Sequence, residues 1–268
     1  MTTPFEKYEG LGNDFIVVDA ASEAVLDLER AKALCDRHFG VGADGVLVVL
    51  PPSSAGARAR MAVLNADGTR PEMCGNGIRC VGLHLARRDG AQGISYVIDT
   101  DGGPLLCEVD RDGDSAWVRV GMGRGRPGGE RRLSYEGREI VFDLVSMGNP
   151  HAITFSEALD PALADRLGPL VSAAFPGGSN VELGRITGEG QIELLVWERG
   201  VGRTLACGTG AAAASVAAAL SNRVRYGVPV SVKLPGGLLE ISVEAETLEV
   251  SMRGPARRVF SGELTKLA

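Results

Sequence analysis

Short apolar runs, broken by glycine, aspartate and proline, dominate the chain, and strands outnumber helices in its pattern. "FIVVDA" (15–20), "GVLVVLP" (45–51), "RMAVLNADG" (60–68), "ISYVIDT" (94–100), "GPLLCEVD" (103–110) and "SAWVRVGMG" (115–123) read as strands. So do "REIVFDLVSMGNPHAITF" (138–155) and "IELLVWERG" (192–200), and "LEISVEAETLEVSMRG" (239–254) reads as an antiparallel pair with alternating faces. A serine start, helix formers and a closing glycine predict a helix over "SEAVLDLERAKALCDRHFG" (22–40). "GRGRPGGERR" (123–132) is too rich in glycine and charge to bury a face, which predicts an exposed loop near a domain boundary.

Two further helices follow a shared motif. "IRCVGLHLARR" (78–88) places Ile78, Val81 and Leu85 on one stripe and follows Cys74-Gly75-Asn76-Gly77. "AAAASVAAALSNR" (211–223) is a strong helix former with little side-chain bulk, suited to burial on all sides, and follows Cys207-Gly208-Thr209-Gly210. Gly12-Asn13 precedes one apolar strand and Gly148-Asn149 another; Cys74 follows Asn13 by 61 positions and Cys207 follows Asn149 by 58. The repeated order predicts an α+β fold of two pseudo-symmetric mixed α/β halves. Each would be a mostly antiparallel sheet or barrel around a central helix, with the active site in the cleft between them. The halves would be residues 1–125 with Cys74 and 126–268 with Cys207, and the chain end would be able to pack back onto the first half.

Composition narrows the function. The 268 residues are 44% hydrophobic and 23% charged, as in a globular protein with a substantial core. A net charge of −6 argues against nucleic acid as a partner. No apolar run approaches the ~18–20 residues that span a bilayer. "MTTPFEKYEG" lacks a basic-then-apolar signal pattern, so the expected location is cytoplasmic. With no export signal, the five cysteines (Cys35, Cys74, Cys80, Cys107 and Cys207) are not expected to form a disulfide framework. None of them pairs as C-x2-C, and His38, His84 and His151 do not flank them at finger-like spacing, so no metal is expected. "GVGADG" (40–45) matches the dinucleotide-binding glycine pattern in letters only, because it follows a helix and precedes a strand.

A cysteine at the start of a helix has a specific chemistry. The first amides of the helix lack intrahelical partners and carry the positive end of its dipole. Glycines let a ligand approach them, so such a site suits a carboxylate and favours thiolate over thiol. The dipole's ~0.3–1 kcal/mol is worth less than one pKa unit, so a larger effect needs further hydrogen bonds. Two such sites closing on one substrate suit removal of an α-proton by one thiolate and its return by a thiol on the other face. No lysine sits in a setting that argues for a Schiff base. Cys35, Cys80 and Cys107 read as core residues, and His151 as packing beside a substrate loop.

"GLGNDFIVVD", "NADG" before "EMCGNGIRC", "MGNPHA", "SNVEL" and "WERGVGRTLACGTGAAAA" occur in order over nearly the whole chain, and together they resemble the diaminopimelate epimerase family. The resemblance implies a cofactor-free isomerase interconverting LL- and meso-diaminopimelate in lysine and cell-wall precursor synthesis. It implies Cys74 and Cys207 as the acid–base pair. It further implies Gly75, Asn76, Gly208 and Thr209 around the reacting carboxylate, and Asn13, Asn65, Asn149, Asn180, Glu198 and Arg199 as substrate ligands. Arg199 suits a distal carboxylate through its bidentate fork, and Glu198 suits an ammonium. The expected partner is this small molecule, and a homodimer is compatible with the pattern. Lys7-Tyr8-Glu9-Gly10 departs from the family's usual Lys-Met-His-Gly, and the added acid is expected to alter charge at the site's edge. Two rival readings are a related racemase of the same fold acting on proline or histidine, and a small-ligand binding protein without catalysis.

Overall fold

The computed structural model describes residues 2–25, 27–71 and 74–264; Glu72 and Met73 of the first cysteine motif and Leu26 of the 22–40 segment lie outside them. The chain runs through β1 (Thr3–Gly10), β2 (Asn13–Asp19), α1 (Leu28–Cys35), β3 (Gly45–Leu50), β4 (Ala59–Asn65), α2 (Gly75–Arg88), β5 (Gly93–Thr100), β6 (Gly103–Asp112) and β7 (Ser115–Arg124). It continues through β8 (Arg126–Tyr135), β9 (Arg138–Ser146), β10 (Pro150–Phe155), α3 (Pro161–Ala173), β11 (Asn180–Gly188), β12 (Gln191–Glu198), β13 (Gly202–Thr204), α4 (Gly208–Leu220), β14 (Val230–Leu234), β15 (Gly237–Val243) and β16 (Glu249–Leu264). Two compact units result: Met1–Val120 with Gly254–Ala268, and Gly121–Arg253. No helix among the described residues is long and apolar enough to cross a membrane.

The first unit wraps a barrel around α2. Its strands are ordered β16-β1-β2-β3-β4-β5-β6-β7, and β7 pairs with β16 to close the ring. The continuous apolar runs of β2, β3 and β4 have a simple cause, because both faces are covered. Phe15, Val17, Leu47, Val49, Met61 and Val63 pack inward on α2. Ile16, Val18, Val46, Val48, Ala62 and Leu64 pack outward on Ala31, Leu34 and Cys35 of α1. β6 and β7 instead alternate, with Cys107, Val109, Val118 and Val120 turned to α2. The helix is buried from Asn76 to Ala86, so Ile78, Val81 and Leu85 belong to a core that surrounds it rather than to a stripe. Full burial of each large aliphatic side chain there is worth about 1.5–3 kcal/mol.

The second unit repeats this plan. Its order is β16-β15-β14-β12-β11-β10-β9-β8, with β13 added beside β12. β2 and β3 are parallel and joined through α1; β10 and β11 are parallel and joined through α3. β3 and β4 are antiparallel, as are β11 and β12. The parallel pair β4–β5 recurs as β12–β14. α4 is buried at Gly208 and from Gly210 to Ala219, as its small side chains require.

Two local expectations are corrected. The 22–40 segment holds a 3-10 turn at Glu23–Val25 and a shorter α1. Asp27 caps α1 by accepting from the Arg30 amide at 2.8 Å, and Asp36 accepts the His38 and Phe39 amides just after it. The 123–132 segment is not a loop: it forms the end of β7 and most of β8. β8 ends the strand order and pairs with β9, so its backbone is bonded while Arg126, Glu130 and Arg132 stay exposed and Arg131 lies over the Phe175 ring. α3 carries no reading from the sequence, because glycine and an internal Pro169 interrupt its pattern.

Gly168 shows how tightly α3 is seated: a Cβ there would lie 2.3 Å from Cγ of Trp197. Alanine is the better helix former by about 1 kcal/mol, but the clash falls at the root of the indole, where it cannot swing aside. Gly168→Ala is therefore expected to lose about 1–3 kcal/mol net, seen as a lowered midpoint in thermal unfolding followed by circular dichroism.

Candidate active site

Both helices begin at a cysteine. Cys74 is the N-cap of α2 and Cys207 the N-cap of α4, with near-identical extended backbones (φ −134°, ψ 109° and φ −129°, ψ 109°). Each sulfur accepts a hydrogen bond from the amide three residues on, Gly77 or Gly210, at 3.3 Å. The thiol thus takes the capping role usual for a serine or aspartate. Gly77 and Gly210 are closely packed: a Cβ would lie 2.9 Å from Cδ2 of Leu47 in the first and 2.8 Å from Oε1 of Glu182 in the second.

In the first unit, the Leu11-Gly12 turn joins β1 to β2 with both residues at positive φ (58° and 81°) and sets Asn13 at the head of β2. Asn76 Nδ2 donates to Asn13 Oδ1 at 3.1 Å, and Asn13 Nδ2 donates to Asp44 at 2.7 Å. Asn65 ends β4 opposite Gly45, its side-chain amide donating to Thr69 at 2.9 Å. Gly75 is the first residue of α2. The structure therefore brings Cys74, Gly75, Asn76 and Asn13 together directly, while Asn65 stands on the neighbouring strand end.

In the second unit, Asn149 donates to Thr209 at 3.3 Å, and the Thr209 hydroxyl lies 3.5 Å from the Cys207 sulfur. Gly208 is the first residue of α4. Asn180 ties two strand ends: its Oδ1 accepts the Arg199 amide at 2.9 Å and its Nδ2 donates to the Pro150 carbonyl. The Arg199 guanidinium donates to the Gly177 carbonyl at 3.1 Å. Glu198 accepts from Thr204 at 2.6 Å, and burial, aided by the nearby Glu182 charge, pushes its carboxyl above the usual range.

Cys207 departs from the simple helix-start expectation. Burial, followed by the charges of Glu198 and Glu182, pushes its thiol well up, outweighing the hydrogen bonds of Thr209 and Gly210 that favour thiolate. Cys35, Cys80 and Cys107 are buried, and burial raises all three, Cys35 to about 11 and Cys107 to about 12. Glu9 lies 3.0 Å from Arg257, which balances the charge that the sequence adds next to this site.

Several contributors were not legible as site residues. His151, read as packing, donates or accepts at both nitrogens, 2.7 Å from Glu182 and 3.0 Å from Asn149. Glu182 is fully buried, and its Oε2 has no hydrogen-bond partner. The available signal was an acid in an otherwise apolar strand, "NVEL". Asp44 lay inside the rejected glycine pattern, and Arg79 lay unremarked one turn after Cys74.

The chain matches the family model described as "Diaminopimelate epimerase" over residues 5–126 and 144–259. It is 42% identical to a protein of Synechocystis sp. named diaminopimelate epimerase, with 98% of this chain and 99% of that one covered. It is 43% identical to one of the same name from Desulforudis audaxviator, covering 97% and 98%. Among solved structures, a hydroxyproline epimerase from Agrobacterium vitis with bound trans-4-hydroxy-L-proline shares the fold at a TM-score of 0.76 and 15% identity, covering 98% of this chain and 91% of that one.

Proposed function

Because the chain belongs to the diaminopimelate epimerase family, we propose that it interconverts LL- and meso-diaminopimelate by a two-base exchange of the α-proton, with Cys74 and Cys207 as the acid–base pair. The observation that carries this reading is the repeated N-cap: one cysteine opens each buried helix in the same backbone geometry. In one direction a thiolate removes the α-proton while the C–H electron pair stays on carbon, and the other thiol protonates the opposite face. The carbanion-like transition state is stabilised by amides aimed at the adjacent carboxylate, those of Gly75-Asn76 and Gly208-Thr209. Asn13, Asn65, Asn149 and Asn180 orient the substrate, Glu198 takes an ammonium and Arg199 the distal carboxylate. No cofactor enters this scheme.

A cytoplasmic, reducing setting suits the reading, since all five cysteines are free thiols. A homodimer stays part of the proposal; exposed Leu106, Val259 and Phe260 are apolar area that a second copy would cover, and light-scattering mass checks it. The function is tested with reduced enzyme and LL-diaminopimelate in heavy water, where one deuterium is expected at the inverted α-carbon. Inversion without solvent deuterium would remove the mechanism. Turnover of proline or histidine in preference to diaminopimelate would move the chain to the other racemases of this fold.

A further inference from the structure

Asp44 lies in the "GVGADG" segment (40–45) that leads from α1 into β3. The segment is wound onto the end of α1. The amides of Gly40, Val41, Gly42 and Ala43 donate to the carbonyls of Asp36, Leu34 (twice) and Cys35 at 2.9–3.1 Å. Lys7 of β1 donates to the Gly42 carbonyl. The Asp44 amide then donates to the Asp14 carbonyl at 2.9 Å, and its carbonyl accepts the Ala66 amide at 2.9 Å. Its backbone is thereby fixed between the start of β2 and the end of β4, where Asn13 and Asn65 stand.

The two carboxylate oxygens of Asp44 are divided. Oδ2 accepts from Asn13 Nδ2 at 2.7 Å and from the Asp14 amide at 3.1 Å, while Oδ1 accepts from Arg37 at 2.9 Å. Arg37 also grips Asp14 at 2.7 and 3.2 Å, and Lys7 meets Asp14 at 2.6 Å. An ionised carboxylate only accepts, so Asn13 turns its Nδ2 to Asp44 and its Oδ1 away. That Oδ1 accepts from Asn76 Nδ2 at 3.1 Å, and Asn76 Oδ1 accepts from the buried guanidinium of Arg79 at 2.9 Å. Arg79 is anchored in turn on the carbonyls of Gly75 and Pro255. A guanidinium only donates. The chain Arg79–Asn76–Asn13–Asp44 therefore runs in one direction, set at each end by a group that cannot play the other part, and its bonds polarise one another. Each amide spends one N–H and one lone pair on the chain and keeps its second N–H in a fixed direction.

The second unit supplies the contrast. Asn13 corresponds to Asn149 and, counting from the cysteines, Asn76 to Thr209. Phe15 pairs with Gly45 and His151 with Asn180, so Ser179 stands where Asp44 does. The Ser179 hydroxyl donates to the Asn180 carbonyl rather than meeting Asn149. With no acid at that position, the bond between strand and helix runs the other way: Asn149 Nδ2 donates to Thr209.

We infer that Asp44 is a positioning residue of the first unit: braced by Arg37, its carboxylate sets the direction of the Asn13 and Asn76 side-chain amides, and so which atoms they turn to the substrate. The inference rests on the reading of Asn13 and Asn76 as residues that hold the substrate, and Asp44 acts through them. Asp44→Asn is the informative change. It keeps the shape but leaves one oxygen to serve both Arg37 and Asn13.

The test is the side-chain amide NMR spectrum of the 15N-labelled, substrate-free enzyme. Six asparagines and two glutamines give it eight NH2 pairs, and the Asn13 pair is identified by its absence from Asn13→Ala. In Asp44→Asn this pair is expected to shift and to exchange with heavy water about tenfold faster, the effect of one lost charge-assisted bond, while the Asn222 and Gln191 pairs of the second unit stay in place. Arg37→Ala, at the surface, is expected to shift the Asn13 pair in the same direction by less. With diaminopimelate, Asp44→Asn is expected to raise KM about tenfold and to lower kcat by less than about threefold. In the Asn13→Ala background the same substitution is expected to change KM by less than about twofold, because no amide is left there to turn, whereas a merely structural role adds equally in both backgrounds. An unmoved Asn13 pair in folded Asp44→Asn overturns the inference, as does an equal KM effect in both backgrounds. Should Asp44→Asn not fold, an unmoved Asn13 pair in Arg37→Ala has the same force. The spectrum needs no substrate, so it decides the role of Asp44 even where wild-type enzyme leaves diaminopimelate unchanged, the outcome that removes the epimerase reading.

Discussion

Cys74→Ala and Cys207→Ala are each expected to lower kcat for inversion of diaminopimelate by at least about 10⁴-fold, the upper end of what one positioned acid or base supplies. The loss is large because the helix amides alone cannot move the proton; they only stabilise the charge it leaves behind. Alanine also removes the N-cap sulfur that the Gly77 or Gly210 amide uses, which costs about 1 kcal/mol of stability. Serine keeps a capping oxygen, so Cys→Ser separates the two effects: stability is expected to return and turnover is not. The double variant is expected to be little slower than either single one, because the proposed mechanism uses the two groups as a unit. A coupled assay for the meso product, with unfolding curves alongside, checks all of this. Normal turnover from either alanine variant would reassign the bases.

Glu6→Gln is expected to destabilise the first unit by about 2–3 kcal/mol at neutral pH, below the ~3–5 kcal/mol of a fully buried pair because Glu6 retains some exposure. Burial alone would raise its carboxyl, but hydrogen bonds with His84, Tyr8, Arg87 and Arg258 outweigh that and hold it well below the usual range. The distances are 3.0, 2.6, 2.9 and 2.6 Å. A depressed carboxylate contributes stability above its unfolded value of about 4.3 and loses it as pH falls. His84 has the opposite sign. Burial opposes its charge, yet Asp19 and Glu6 raise it, so its contribution is full below about 6.5 and is lost as pH rises through the folded value. Together they place this cluster's greatest stability between about pH 4.5 and 6.5. Urea unfolding at pH 7, 5.5 and 4 is expected to show that optimum in the wild type and a flatter acid limb in Glu6→Gln. Equal acid sensitivity in both proteins would remove Glu6 from this role.

Tyr8 explains part of the N-terminal departure from the family pattern. Its ring is fully buried, and its hydroxyl donates to Glu6 and meets His84 at 3.3 Å, so it belongs to this ion cluster. The neighbouring Glu9 points the other way along β1 and meets Arg257.

What the amino-acid order determined by itself was local. Strand runs, two helix starts and the cysteine at each follow from apolar period, glycine placement and capping, which act over three or four residues. The repeat was legible for the same reason, since each half writes these local signals in one order. The helix at 161–173 and the strand at 126–135 were not legible. Pro169 and Gly168 weaken the intrinsic preference of the one, and tertiary packing on Trp197 restores it. The other is rich in glycine and charge, and it is a strand because β9 completes its hydrogen bonds. Above all, only the tertiary structure decided which charges surround each thiol. Glu182 meets His151 across 31 residues of chain because β10 and β11 pair in parallel, and Arg79 meets Pro255 across 176 because β16 returns to the first unit. Electrostatic interaction depends on distance in space and on burial, and neither is set by neighbours in the chain. Two motifs that read alike as sequence are for that reason chemically unlike as sites.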